Sequence, residues 1–203
     1  MDKREMRAFV TNFEARAEEN NIGVIKGRPI VFNSETDMGW YRETIDTHAL
    51  DNADLRDVRL CLNHDTSFVY ARSRNNNENS TMRIGVDEEG LFFEARLDLN
   101  SSKQNDLFIA VQRGDMDKMS FMFVVNRDEW FDIDSDQPLR VIREISVVYE
   151  ISIVTFPAYN STTVQAASSD SDSLDSVRAS LESVRAEARA VERRKQTIKI
   201  LCM

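Results

Sequence analysis

Through the first 164 residues apolar side chains recur in short runs, often at every second position, separated by clusters of Asn, Asp, Ser and Gly. That period, with the β-branched content of the runs, predicts strands near Gly23–Phe32, Trp40–Ile45, Val58–His64, Met82–Val86, Leu91–Leu97, Met119–Val125 and Arg140–Val154. MRIGV-DEEG-LFFEARL reads as a hairpin whose turn is DEEG. One amphipathic helix is expected between strands, with Ser101 or Ser102 as N-cap, a body running through Val111, and Gly114 as the stop. Many short strands with few helices predict a mainly β protein of the α+β class, a barrel or sandwich rather than a βαβ fold.

The period changes near the C-terminus. After Pro157 the chain runs through AYNSTTV into QAASSDSDS, small polar residues that cannot bury a core and read as a linker over 165–173. Leu174, Val177, Leu181, Val184, Ala188 and Val191 then follow at alternating spacings of three and four, an a/d seam with Glu and Arg on the other faces. Residues 174–203 are therefore expected as a coiled-coil-like helical tail. Its narrow stripe calls for a partner helix, from a second copy of the chain or from another protein.

Composition narrows the setting. Apolar residues make up 41% of the 203, enough for a core, and there is no apolar run long enough to span a membrane. The opening MDKREMRAFV mixes charges of both signs and has no apolar stretch of the secretory kind. Cys61 and Cys202 are the two cysteines, far apart, which argues for a reducing compartment rather than a disulfide framework. The net charge of −9 speaks against a dedicated nucleic-acid binder. From Gln165 onward six acids face seven bases, so the first 164 residues carry −10. An acidic body with a balanced helical tail points to protein partners.

The chain has two histidines, which shortens the search for a general base. On a strand of period two, Val58, Leu60, Leu62 and His64 share one face, so His64 would end an apolar surface where its charge state is tunable. A core histidine satisfied by a backbone carbonyl is the plainer alternative. His48, in ETIDTHAL, sits among polar residues and reads as a surface histidine. Ser120 lies early in MSFMFVV, just after the loop containing Gly114, where an activated hydroxyl could meet a substrate. A serine bonded to neighbouring backbone is the alternative there. In the last long strand Glu144 and Glu150 are separated by roughly 20 Å, so at most one can reach a given histidine. Glu150, flanked by apolar residues, is the costlier to leave unpaired and could fix a histidine tautomer. A strand glutamate paired with an arginine would look the same.

Taken together, the order of these segments resembles the prohead (capsid maturation) proteases of tailed phages. The likeness runs from about Gly23 to Val164 through GVIKGRPIVFNS, WYRETIDTHAL, VRLCLNHD, DEEGLFFEARLDL, LFIAVQRGDMDKMSFMF and ISIVTFPAYNSTTV. Its most specific part is NHD, then G-x(5)-S-F-x-F, then E-x-S-x-V-x-x-P-A, in that order. The resemblance implies a closed β-barrel surrounded by helices, similar to the herpesvirus assemblin proteases, over residues 1–164. It also implies a serine endopeptidase with Ser120 as nucleophile, His64 as base and Glu150 as the acidic third member, and no role for His48. The substrates implied are the scaffolding segment of the phage major capsid protein and the protease itself, cut in the host cytoplasm inside the assembling prohead. No metal or organic cofactor is expected, since two histidines and two distant cysteines do not make a zinc site of usual spacing. The competing expectation is a non-enzymatic assembly protein of the same fold. A third, an unrelated binding module, would leave the three side chains far apart.

Overall fold

The computed structural model of the protein describes residues 4–155 and 171–201. The strands in chain order are β1 (Arg4–Val10), β2 (Glu14–Glu18), β3 (Ile22–Val31), β4 (Thr36–Asp37), β5 (Arg42–Ile45), β6 (Arg59–Leu62), β7 (Ala71–Arg72), β8 (Met82–Asp87) and β9 (Gly90–Asp98). Helix α1 (Ser102–Gln112) follows, then the long strands β10 (Lys118–Phe131) and β11 (Leu139–Val154), and finally helix α2 (Ser171–Leu201). The chain is thus mixed α+β, mostly strands. The DEEG hairpin forms as the pattern predicts: Asp87 Oδ1 accepts the Glu89 and Gly90 amides at 3.0 and 3.2 Å. Gly90 has φ +145°, and a Cβ there would stand 2.0 Å from the Ile30 carbonyl oxygen, so only glycine closes this turn against β3. Ser101 occupies the N-cap position of α1 without a side-chain capping bond.

The ladders make two sheets. In the larger, β1, β10, β11, β5 and β4 lie side by side, with β6 also on β11 and β7 on β6; the smaller has the order β2-β3-β9-β8. Strand β11 is the spine. One edge pairs antiparallel with β10 along its whole length, while the other takes β5 at Leu139–Ile142 and β6 at Glu150–Ile153, both parallel. The inner faces of both sheets pack into one core that joins Ile25, Leu91 and Phe93 of the small sheet to Phe121, Ile151 and Ile153 of the large one. Leu107, Phe108 and Val111 of α1 belong to the same core. Removal of this apolar surface from water is the main favourable contribution to folding.

The expected closed barrel surrounded by helices is not what these ladders build. Among the described residues the two sheets stay open, and they approach at the β7–β8 corner through an isolated backbone bond, Thr81 N–H to the Arg72 carbonyl, 3.0 Å. Arg74, Asn75 and Asn76 have φ of +40°, +58° and +53°, which turns the chain out of extended geometry and ends pairing there. Among the described residues two α-helices accompany the sheets rather than a surrounding layer.

A buried charge cluster joins β1, β5 and β11. Arg7 donates to both Glu43 carboxylate oxygens, Nη2 at 2.9 Å to Oε2, and pairs with Glu5. Arg140 Nη1 reaches Glu5 Oε2 at 2.7 Å and Glu43 Oε2 at 3.0 Å, while its Nε donates to Asp128 Oδ2 at 2.6 Å. Two guanidiniums thus meet two buried carboxylates and a third at the rim. None of this was legible from the alternation, because Glu43 and Arg140 read as ordinary strand charges and Glu5 and Arg7 fall in the mixed-charge opening segment, where no strand is expected and the structure places β1.

The tail also departs from expectation. Helix α2 begins at Ser171, three residues before the expected start, and residues 165–170 of the expected linker lie outside the described residues. The first half of the seam packs on the chain's own body: Val177 and Leu181 are buried with Met38, Tyr41 and Trp130, and Trp40, Ile133 and Val184 pack around them. Polar contacts fix the register. Trp130 Nε1 donates to Ser180 Oγ at 3.1 Å, Ser180 Oγ donates to Asp128 Oδ1 at 3.2 Å, and Arg185 Nε donates to the Ile133 carbonyl at 2.8 Å. Further along, Val191 is 48% exposed.

Two predictions follow from this packing. Burial raises the Glu5 carboxyl, but Arg7 and Arg140 outweigh it and hold the group below its ordinary value of 4.5. A depressed folded-state pKa contributes stability that is complete above the unfolded value and lost as pH falls through the folded one. Glu5→Gln should cost about 3–5 kcal/mol near neutral pH, and urea titrations should show the gap to the natural chain narrowing below pH 4.5. Both tryptophans of the chain, Trp40 and Trp130, stand at the tail's docking site with ring centroids 6.2 Å apart. Leu181→Asp should release the tail and red-shift the tryptophan emission without a change in the sheet signal by circular dichroism.

Candidate active site

The site grows from the C-terminal half of β11. Between Val148 and Glu150 the ladder with β10 skips one residue, Tyr149, and it skips Ser146 as well. These bulges rotate the strand. As a result Ile145, Val148, Ile151 and Ile153 enter the core, rather than the strict alternation Ile145, Val147, Tyr149, Ile151 and Ile153 that the sequence suggests. Beyond the bulges, Glu150 and Ser152 point to the face opposite Ile151 and Ile153. The register sets Glu150 between Met122 and Arg59, and Ser152 between Ser120 and Cys61.

His64 reaches the same face by a turn. Asn63 and His64 have φ of +51° and +60°, and the Asp65 amide donates back to the Leu62 carbonyl at 3.0 Å. Two positive φ values at the centre of such a reversal mark a type I′ turn, which Asn and His tolerate better than most side chains. Asn63 anchors it to the end of β11: its amide donates to the Ile153 carbonyl at 3.0 Å and its Oδ1 accepts the Thr155 amide at 3.0 Å. His64 therefore does not extend the apolar face of Val58, Leu60 and Leu62. The left-handed turn folds it over the other side of β6, where Glu150 stands. Non-glycine residues held at positive φ concentrate at functional sites.

There His64 Nδ1 pairs with Glu150 Oε1. The Glu150 side chain is 4% exposed and the His64 ring 23%, so the pair is sealed at its acid end and open at its imidazole. Ser152 Oγ donates to Glu150 Oε2 at 3.2 Å and accepts the His64 amide at 3.1 Å. Cys61 lies against the same carboxylate. Burial, the charge of Glu150 and a hydrogen bond to it push the thiol up to about 12. Cys61 thus stays protonated as a donor and has no thiolate character to offer as a nucleophile.

Ser120 sits across the β10–β11 ladder from Ser152 and across the β1–β10 ladder from Ala8. It is 1% exposed, and its hydroxyl has no hydrogen-bond partner among the described residues. A buried hydroxyl left unpaired costs about 1–3 kcal/mol, so its retention in a packed strand calls for a reason. Glu144 lies elsewhere, opposite Arg127 in the ladder and outside this group. His48 is a surface residue, its side chain 80% exposed and paired with Asp51. Of the residues singled out in the sequence, His64 and Glu150 are brought into contact, and Ser120 lies opposite Ser152, which is bonded to both. Ser152 and Cys61 were missed. Ser152 could have been found from its period-two relation to Glu150; Cys61 gave no such signal, because a cysteine among leucines reads as packing.

Comparison with known proteins bears on this arrangement. Over residues 11–176 the chain matches the family described as caudovirus prohead serine protease. The prohead protease of Enterobacteria phage HK97 is 28% identical over 159 residues, a stretch covering 77% of this chain and 64% of that protein. The chain thus spans somewhat less than two thirds of this relative's length. No solved structure matches it. The family match takes in β2 to β11, including both ladders that place Ser120, His64 and Glu150, and the chain belongs to the caudovirus prohead serine protease family.

Proposed function

We propose that the chain is a serine endopeptidase of phage capsid maturation, with Ser120 as nucleophile, His64 as general base and Glu150 as the acid that orients it. The observation that carries this is the division of labour among three buried hydrogen-bonding groups. The Ser152 hydroxyl is used by Glu150 and the His64 backbone, and the Cys61 thiol is held protonated. The Ser120 hydroxyl alone is uncommitted, in the strand position facing them. On this reading His64 takes the Ser120 proton through Nε2 as Oγ attacks the scissile carbonyl, then returns it to the leaving amine. Glu150, bonded at Nδ1, selects the tautomer that leaves Nε2 free to accept and stabilises the imidazolium. Backbone amides would stabilise the oxyanion.

Substrates enter the proposal through the family. We take them to be the scaffolding segment of the major capsid protein and the protease itself, cut inside the assembling prohead in the host cell. The likeness to herpesvirus assemblins is carried here at the level of chemistry, a Ser–His pair with a glutamate in third place. Since Ser120 is almost fully covered, the cover must move before a peptide can bind. That burial is also what favours the second reading, a capsid assembly protein of the same fold without activity. The tail helix, half of whose seam is occupied by its own body, would serve as a docking arm in either case.

Co-expression with the cognate capsid protein separates the two on a denaturing gel. The natural chain should shorten the capsid protein, and Ser120→Ala should abolish this, at least about a thousandfold in rate. If neither chain cuts, the assembly reading replaces the protease one. Glu150→Gln should lower cleavage by about three orders of magnitude, whereas Glu144→Gln, far from His64 in the ladder, should cleave as the natural chain does.

A further inference from the structure

We infer that Ser152 is a positioning residue of the proposed catalytic group, the part that locks the His64 turn to the Glu150 carboxylate. The inference rests on the protease reading above and goes beyond it to a residue that does not touch substrate. Ser152 is fully buried, and its single hydroxyl closes a ring. It accepts the His64 backbone amide at 3.1 Å and donates to Glu150 Oε2 at 3.2 Å, while Glu150 Oε1 pairs with the His64 ring at Nδ1. One side chain therefore holds the same histidine at its backbone and, through the carboxylate, at its ring.

Three features make this more than satisfaction of a buried serine. His64 sits at φ +60°, a backbone state that must be held in place by its surroundings, and the Ser152 bond is to that very amide. The carboxylate has no arginine or lysine bonded to it among the described residues. Its hydrogen-bonding partners there are His64, Ser152 and Cys61, so Ser152, bonded at Oε2, is one of the two donors besides the imidazole that set how the carboxylate meets the ring. Finally, Ser152 is directly opposite Ser120 in the β10–β11 register and opposite Cys61 in the β6–β11 register. It is the point through which the nucleophile's strand and the base's turn share one reference.

With Ser152 in place each carboxylate oxygen has a side-chain partner, His64 at Oε1 and Ser152 at Oε2. Without that hydroxyl the His64 amide loses its acceptor and Oε2 loses the bond Ser152 supplies, so the turn can relax and the imidazole shift. Misplacement on the scale of an ångström costs about a hundredfold in rate.

The test compares the full chain with Ser152→Ala, Ser152→Val and Ser152→Thr, the last two alike in shape and differing in the hydroxyl. Steady-state cleavage of a peptide spanning the capsid cleavage site is measured together with the rate of Ser120 labelling by a fluorophosphonate. Ser152→Ala and Ser152→Val should lower kcat and the labelling rate by about a hundredfold with KM unchanged. Ser152→Thr, which keeps the hydroxyl, should restore most of both. Equal rates in the natural, Ala and Val chains would overturn the inference, as would a loss that Thr fails to restore while its thermal midpoint stays natural. If Ser152→Ala does not fold, the comparison of Val with Thr decides. Absence of both cleavage and labelling in the natural chain is a different result: it removes the protease reading itself.

Discussion

Strand β11 is hydrogen-bonded along both edges over its C-terminal half, to β10 on one side and β6 on the other. That double ladder is the constraint on which the site depends. Ladder bonds fix neighbouring strands at about 4.8 Å and set the register residue by residue. A serine in β10, a glutamate in β11 and a turn at the end of β6 therefore cannot drift relative to one another without breaking several backbone bonds. The bulge at Tyr149 is part of the same device. It brings Glu150 and Ser152 to the side away from the core, where a strand without a bulge would have placed Val148 beside them.

The protein buries carboxylates in two ways, and the contrast separates stability from chemistry. Glu5 and Glu43 are neutralised by Arg7 and Arg140, cations that do not lose their protons, and Glu5 lies below its ordinary value as a result. Such a cluster is inert and fixes the meeting point of β1, β5 and β11. Glu150 has a histidine instead, with hydrogen-bond donors from Ser152 and Cys61. A partner that can gain and lose a proton is what acid–base work needs. The arginine cluster also reaches the tail, since Asp128 accepts from Arg140 and from Ser180 of α2. Docking of the tail and packing of the body are thereby joined through one carboxylate.

Much was legible in the sequence because it is local. Alternation marks β3, β8, β9, β10 and β11; the DEEG turn, Gly114 after α1 and the three-four seam of the tail are each written in residues near one another. The candidates Ser120, His64 and Glu150 stood out through chemical scarcity, as a histidine at the end of an apolar strand, a hydroxyl in an apolar run and an acid among β-branched residues. What was not legible depends on partners distant in sequence. Glu5, Arg7, Glu43 and Arg140 look like surface charges until 135 residues of separation are closed by folding. The tail's stripe looks like an invitation to a second helix until Trp40, Tyr41 and Trp130 are seen to form its bed.

The sequence by itself determined seven of the strands, though not β1, β2, β4 or β7, together with the helical tail and the residue types able to do serine–histidine chemistry, since each follows from side-chain period and from the reactivity of individual groups. Tertiary structure alone decided that the sheets remain open among the described residues, that His64 swings to the opposite face of its strand, that Glu150 rather than Glu144 meets it, and that Ser152 closes the ring. The physical reason is that bulges and left-handed turns shift which face a residue occupies. Hydrophobic period assumes a regular backbone, and at this site two positive φ values and a skipped residue break that assumption.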